Sequence, residues 1–261
     1  MKGKLITRNY IYVCYILNTI LKTEYMKTLI AASLVAFSSL SVASLRAQTA
    51  DEIVNKHIEA IGGKAVISSV KSLYLEGSIE VMGNEAPSTT YILTGKGFKN
   101  ELDFNGTQIV QCVTDKGGWT INPMTGQTTA TALPADQLKG SQLRLDIGGP
   151  LLDYASKGNK VELEGKDSAG YKLKLTTKDD MKIQFFIDPK TYYISKTIMH
   201  VNTGGQDVET VITFSDYKKT DIGYVMAYSQ QITLPQVTLN MINKKVEVNK
   251  AIDPAIFEMP K

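Results

Sequence analysis

Residues 165–170 carry the pattern closest to a catalytic site, because a serine lies between glycines. The segment runs Gly165-Lys166-Asp167-Ser168-Ala169-Gly170. A serine nucleophile of the G-x-S-x-G type needs glycine two residues before it, in a turn that leads from a strand into a helix. Here position 166 is lysine, and the segment joins two predicted strands. The pattern therefore predicts a hairpin loop rather than a hydrolase nucleophile.

The two histidines lack the neighbours that a metal or proton-transfer site needs. His57 falls on a predicted helix and His200 near the end of a predicted strand, with no His or Cys at ligand spacing beside either. The carboxylate pair Asp179-Asp180 lies in a predicted turn, which is typical of solvated residues. No glycine-rich phosphate loop follows a strand. We therefore predict a protein that is not an enzyme and that uses no metal and no cofactor.

An apolar segment near the start of the chain predicts export. Lys27 follows Met26, and then come the apolar run 28–37, small residues and Leu45-Arg46-Ala47-Gln48. A basic head, an apolar run and a small residue before a polar segment form the plan of a signal peptide. We predict a signal peptide over 26–47, an upstream extension over 1–25 that precedes the true start, and a soluble periplasmic domain over 48–261. A membrane anchor in 1–25 is the alternative, but its apolar run is shorter than the ~20 residues of a span.

Removal of residues 1–47, the predicted extension and signal peptide, changes the net charge of the protein. Residues 1–47 hold six of the 29 Lys and Arg residues but one of the 26 Asp and Glu residues, so the net charge falls from +3 to −2. A near-neutral domain lacks the basic surface that nucleic acid requires. Cys112 is then the remaining cysteine, so no intramolecular disulfide is possible and the fold must depend on a sizeable buried core. Its apolar surroundings predict a buried thiol.

Helix signals are confined to two places in this domain. Thr49 and Glu52 have the spacing of a capping box, and apolar residues follow at helical intervals up to Gly62-Gly63. A short helix or turn over 64–70 comes next. A second helical segment is predicted to begin at Pro134 and to end at Gly148-Gly149-Pro150, so that the insert 134–154 covers one face or the mouth of a sheet.

The rest of the domain alternates in the manner of antiparallel strands. Asn105-Gly106 is the strongest hairpin signal, and residues 125–131 are polar with little sign of order. About ten to twelve strands in unbroken order favour a strongly curved sheet. The predicted fold class is mainly β (α+β), with an antiparallel sheet or incomplete β-barrel covered by an N-terminal helix and the helical insert.

The later part of the domain resembles periplasmic lipoprotein carriers of the LolA type. The resemblance rests on a strand–turn element, the strands after it, the closing segment and three stretches near the start: 185–192, 213–218, 221–226, 248–260, 50–54, 61–63 and 70–73. The stretches near the start are similar to a divergent branch labelled "outer membrane lipoprotein-sorting protein" in Bacteroidetes. The resemblance implies an incomplete barrel, covered by helices, around an apolar cavity that holds acyl chains.

One position departs from the LolA pattern. LolA-type carriers are expected to use an arginine on an early strand to gate the lid, whereas the early strands here carry Lys96 and Lys99. The one arginine of residues 48–261 is Arg144, in the insert. Binding of a lipid or another hydrophobic ligand is therefore a firmer expectation than lipoprotein transfer.

Two functional hypotheses follow from these observations. The first is a carrier whose partners are lipid or lipoprotein acyl chains; the second is a non-catalytic envelope interaction or stress-sensing module that binds an inner- or outer-membrane protein through the insert. The cavity wall of the carrier is predicted to consist of apolar residues from the sheet and the insert: Leu73, Leu75, Ile79, Tyr91, Leu93, Phe98, Phe104, Trp119, Leu145, Leu151, Leu152, Phe185 and Phe214. Packed core is the competing interpretation for each of them, because periodicity does not distinguish the two.

Overall fold

The computed structural model describes residues 48–203 and 206–260. The predicted upstream extension and signal peptide, at 1–47, lie outside these residues. In the described part of the chain, no helix combines the length and the hydrophobicity that crossing a membrane requires.

Two short helices open the described chain, as the sequence predicts. Helix α1 spans Ala50–Ala60 and α2 spans Gly63–Ser69. The capping box is present: the backbone N–H of Glu52 donates to Thr49 Oγ1, and that of Thr49 donates to Glu52 Oε2, each at 3.2 Å. These bonds satisfy two of the N–H groups that a helix start leaves free. One face of α1 buries Ile53, Val54, His57 and Ile58.

The described residues form a 13-stranded antiparallel sheet. In chain order its strands are β1 (Ser72–Val81), β2 (Asn84–Leu93), β3 (Gly97–Phe104), β4 (Thr107–Thr114), β5 (Gly118–Asn122), β6 (Gln127–Ala132), β7 (Lys160–Asp167), β8 (Gly170–Thr176), β9 (Lys182–Ile187), β10 (Ile194–Thr203), β11 (Gln206–Lys219), β12 (Val225–Leu234) and β13 (Val237–Val248). The first strand pairs with the last at the centre, and β6 and β7 form the two edges. The sheet is therefore open, which confirms the predicted incomplete barrel.

The sheet curves around the two helices. One buried cluster unites Ile53 of α1 and Ile67 of α2 with Leu73 of β1 and Leu173 of β8. Five strands separate β1 from β8, which places them about 29 Å apart in a flat sheet at the usual strand spacing. A helix is only about 10–12 Å wide, so both strands reach the helices because the sheet bends. The face that carries the helices is therefore concave.

The insert differs in detail from its prediction. Helix α3 spans Ala135–Ser141 and is followed by a 3₁₀ turn over Gln142–Leu145, rather than continuing towards Gly148. Gly140 and Ser141 are weak helix formers, and the Ser141 hydroxyl donates to the carbonyl of Gln137. Leu151 and Leu152 are buried in the main cluster with the helices. The insert thus contributes to the core.

The C-terminal residues cover part of the convex face. A 3₁₀ turn over Pro254–Phe257 brings Phe257 against Cys112 and Trp119 in a separate buried cluster. The carbonyl of Phe257 accepts hydrogen bonds from Trp119 Nε1 at 3.0 Å and from Cys112 Sγ at 3.3 Å. Cys112 is 0% exposed, which confirms the predicted buried thiol, and burial raises the pKa of this thiol to about 12.

Candidate ligand-binding face

A row of paired residues crosses the concave face from β8, beneath the helices, to β1 at the centre of the sheet. Directly opposed residues of neighbouring antiparallel strands point to the same face, so the strand register defines the row. Its members, one from each of seven adjacent strands, are Leu173, Phe185, Thr197, Ile212, Ile232, Leu239 and Val81. Because Leu173 and Phe185 pack in the helix-bearing cluster, the whole row lies on the concave side.

The exposure of this row changes along its length. Leu173, Phe185 and Thr197 are buried, whereas Ile212 and Ile232 are half-buried. The Thr197 hydroxyl has no hydrogen-bond partner among the described residues, which is unusual for a group that is 4% exposed. The row therefore runs from packed core onto apolar side chains that remain partly exposed.

A second row extends this surface. Ile79 opposes Met241, Met241 opposes Gln230, and Gln230 opposes Phe214. Strands β3 and β4 add the opposed pair Leu102 and Ile109 on the same side. We name the combined surface the open apolar face; its residues are Ile79, Val81, Leu102, Phe104, Ile109, Ile212, Phe214, Ile232, Leu239 and Met241. The arrangement suits the burial of extended hydrocarbon, because apolar side chains from six strands line one concave surface.

A polar row separates the open apolar face from the core beneath the insert. Thr120, Gln111, Asn100 and Thr90 oppose one another in turn across β5, β4, β3 and β2. Asn100 Nδ2 donates to Ser88 Oγ at 2.9 Å and to Thr90 Oγ1 at 2.8 Å. These side chains offer hydrogen-bonding groups next to a hydrophobic surface, which is the composition typical of small-molecule sites.

The thirteen predicted wall residues fall into three groups. Those in packed core clusters on the concave side are Leu73, Leu75, Leu151, Leu152, Phe185, Phe98 and Leu145. Ile79, Phe104 and Phe214 belong to the open apolar face. The others, Tyr91, Leu93 and Trp119, lie on the convex face beneath the C-terminal segment, so we leave them out of the proposed site.

Sequence reasoning missed much of the open apolar face. The sequence indicates the extent of the strands that carry the missed residues, which are Ile212, Ile232, Leu239 and Met241. Which of these residues meet on one face depends on the strand register, and some of the strands are distant in the chain. Alternation along β12 and β13 was the available signal, since exposed Thr233 and Thr238 flank Ile232 and Leu239.

The residues considered for catalysis are dispersed. Ser168 lies in the exposed β7–β8 hairpin, as predicted, and His200 lies at 3.8 Å from Glu209 on the exposed side of β10. His57 is buried, and its Nδ1 lies 2.8 Å from the carbonyl of Tyr192. Among the described residues, no group of three or more His, Cys, Asp or Glu side chains is placed to hold a metal ion.

A cleft of about 460 Å³ opens elsewhere, between the β4–β5 turn and the C-terminal segment. Its base is formed by Trp119 and Phe257, which are already 4% and 5% exposed, and charged side chains such as Lys96 and Glu258 surround it. A molecule in this cleft would rest on filled core rather than enter it. We therefore favour the concave face as the binding site.

Three solved structures share this architecture. A LolA superfamily protein from Nitrosomonas europaea superposes with a TM-score of 0.54 at 11% identity, covering 81% of this chain and 98% of its own. An outer membrane lipoprotein-sorting protein domain from Vibrio parahaemolyticus gives 0.53 at 14% identity, and a DUF1329 family protein from Desulfovibrio piger gives 0.53 at 15% identity. Each of these two covers 80% of this chain and 97% of its own.

This chain has a LolA-like fold. The fold accounts for nearly the full length of each of the three solved proteins, so the likeness is one of whole domains. At identities of 15% or less it extends to the fold and not to a shared activity. No family model matches the sequence, and no curated protein matches it either.

Proposed function

We propose that the protein is an exported periplasmic carrier that binds lipid acyl chains, either free or attached to a lipoprotein, on the open apolar face. The observation that carries the proposal is the row from Leu173 to Val81, which continues from buried core onto apolar side chains that remain partly exposed. The LolA-like fold of this domain supports the proposal, since one of the solved structures with this fold is described as a lipoprotein-sorting domain.

The driving force of such binding is hydrophobic. Each methylene group removed from water contributes about 0.8 kcal/mol, so an acyl chain gains affinity in proportion to its length on the face. The site needs few polar groups for this, which agrees with the composition of the open apolar face. The proposal requires no covalent chemistry of the protein, and the domain is assigned a binding role rather than an enzymatic one.

The proposed periplasmic location follows from the predicted signal peptide. The predicted signal peptide at 26–47 would deliver the domain across the inner membrane, and cleavage would free it there. Recovery of a protein that begins at Gln48 from the periplasm, by N-terminal sequencing or intact mass, tests this part of the proposal. A mature chain that retains residues 26–47 would contradict it.

The binding proposal is tested with the protein purified from the periplasm without detergent. Native mass spectrometry and solvent extraction measure acyl-chain species carried through purification, and a fluorescent fatty acid measures uptake. We expect Ile232→Asn and Leu239→Asn to lower the uptake at least tenfold, since each places an amide on the apolar surface.

Matched controls lie one residue away. Thr233 and Thr238 are exposed on the convex face of the same strands, so Thr233→Asn and Thr238→Asn make the same change without touching the proposed site. Circular dichroism verifies that all four variants are folded. A protein free of acyl species that takes up no fluorescent fatty acid overturns the carrier proposal, as do equal losses in both pairs of variants.

The competing interaction-module hypothesis required an exposed apolar patch in the insert. Leu151 is 2% exposed and Leu152 is 8% exposed, and both pack in the helix-bearing core. These leucines therefore offer a partner no surface, and the open apolar face carries the stronger argument.

A further inference from the structure

Arg144 lies over the polar row of the concave face. Its Nη1 donates to Gln111 Oε1 at 2.8 Å, and the guanidinium carbon lies 5.0 Å from the centre of the Phe98 ring. Gln111 and Phe98 both belong to the concave side: Gln111 lies in the polar row next to the open apolar face, and Phe98 lies in the core on the other side of that row. The positive charge is therefore held inside the curve of the sheet, beside its hydrogen-bonding groups.

The backbone around Arg144 is fixed in place. The carbonyl of Leu145 accepts from the backbone N–H of Gly95 at 2.8 Å, and Gln142 Nε2 donates to the carbonyl of Thr114 at 3.2 Å. The Leu145 side chain is buried against Phe98 and Val113. These contacts attach the 3₁₀ turn to the β2–β3 and β4–β5 hairpins, so the guanidinium is positioned before any ligand arrives.

The guanidinium of Arg144 remains accessible to a ligand. The Arg144 side chain keeps solvent exposure, yet the protein around it lowers the pKa of the guanidinium below its ordinary value through burial. No carboxylate of the described residues forms an ion pair with Arg144.

We propose that Arg144, with Gln111 and Asn100, binds the anionic headgroup of an amphiphile whose acyl chain lies along the open apolar face. The proposal rests on the proposed carrier function and names its ligand class: an acyl chain that ends in a carboxylate or a phosphate. The guanidinium fork matches both oxyanions, and hydrogen bonds between charged groups are the stronger kind. From β4 to β12 the face spans five strand spacings, about 24 Å, which gives a long chain room beside the headgroup.

The experiment compares three ligands with one chain length. Palmitate and hexadecyl phosphate carry the two anionic headgroups, and hexadecanol carries none. Affinities are measured by displacement of a fluorescent fatty acid from delipidated protein. We expect both anions to bind roughly tenfold or more tightly than hexadecanol, and the preference to weaken as salt is added.

Two variants test whether the charge of Arg144 causes the preference for anionic ligands. Arg144→Gln should remove the preference, so that palmitate and hexadecyl phosphate bind no more tightly than hexadecanol. Lys182→Gln, which removes one positive charge from an exposed site on the convex face of β9, should retain it. Because the Arg144 side chain is exposed, its replacement is expected to leave the melting temperature within a few degrees of the original.

The outcomes separate this proposal from the carrier proposal. Equal affinity for all three ligands, or a preference that survives in Arg144→Gln, overturns the headgroup site and leaves the carrier in place. A preference for one anion alone supports the site and identifies the source as a fatty acid or a phosphate-bearing lipid. Binding of none of the three overturns both proposals.

Discussion

His57 is a titratable side chain enclosed in the core between α1 and the sheet. It is 5% exposed, and burial lowers its pKa below the ordinary value of 6.5, although the hydrogen bond to the carbonyl of Tyr192 partly offsets this. The neutral ring donates through Nδ1 to that carbonyl. The group therefore serves the packing of α1 rather than metal binding or proton transfer.

The stability of the domain should fall on mild acidification because of His57. Above pH 6.5 the ring is neutral in both folded and unfolded chains, but below 6.5 the unfolded chain takes up a proton that the folded chain resists. Unfolding in urea at pH 7.5 and pH 5.5 measures the loss. We expect His57→Gln to reduce the pH dependence and His200→Gln, at an exposed site, to retain it. An unchanged pH dependence in His57→Gln would contradict this account.

At the scale of single residues, local chemistry determined what could be predicted. Thr49 and Glu52 act on each other within one helical turn, so the capping box was visible in the sequence. Asn105 and Gly106 both have positive φ, as their hairpin turn requires. Trp119 was misplaced among the concave residues because its partner, Phe257, lies 138 positions later in the chain.

The C-terminal segment is an element whose docking depends on one glycine. A Cβ added to Gly97 would lie 2.5 Å from a ring carbon of Phe257, closer than side chains pack. Gly97 therefore leaves the space that the ring fills, and the segment covers Cys112 and Trp119 as a consequence. The apolar residues of β2–β5 on the convex face are buried or half-buried in this way, which explains why alternation alone did not separate the two faces.

Gly97→Ala should loosen this segment and lower the free energy of unfolding by about 1–3 kcal/mol, the usual effect of overpacking. Trp119, the one tryptophan of the chain, donates to the Phe257 carbonyl, so its fluorescence reports the displacement. The control is Gly117→Ala, because an added Cβ there meets nothing within 4 Å. A red-shifted emission in Gly97→Ala alone is expected. Equal effects of the two substitutions would count against the contact.

Strand β6 shows why one element could not be predicted. Its sequence, Gln127–Ala132, consists of Gln, Thr and Ala, with no large apolar residue to mark an inward face. Its order comes from pairing with β5, in which Trp119 opposes Ala132 and Thr120 opposes Thr131. The expectation of little order at 125–131 was therefore wrong, because a neighbouring strand supplies what the local sequence lacks.

At the scale of the whole molecule, the open sheet permits the proposed function and leaves two edges exposed. Closing the sheet would have removed the edges, but it would also have enclosed the concave face. The two edges differ in charge. Strand β7 carries Lys160, Glu162, Glu164, Lys166 and Asp167, whereas β6 carries no charged residue. Charges on an edge discourage pairing with another chain, so β6 is the less protected edge.

Association of molecules should therefore begin at β6. We expect Thr129→Lys, at an exposed position of this edge, to slow the rise of light scattering on mild heating of concentrated protein while leaving the melting temperature nearly unchanged. Thr238→Lys adds the same charge at an exposed position of β13, a strand paired on both sides. If net charge alone governed association, the two variants would behave alike. A slower rise in Thr129→Lys only would assign the effect to the edge, because that lysine acts where backbone hydrogen-bonding groups remain open to a second chain.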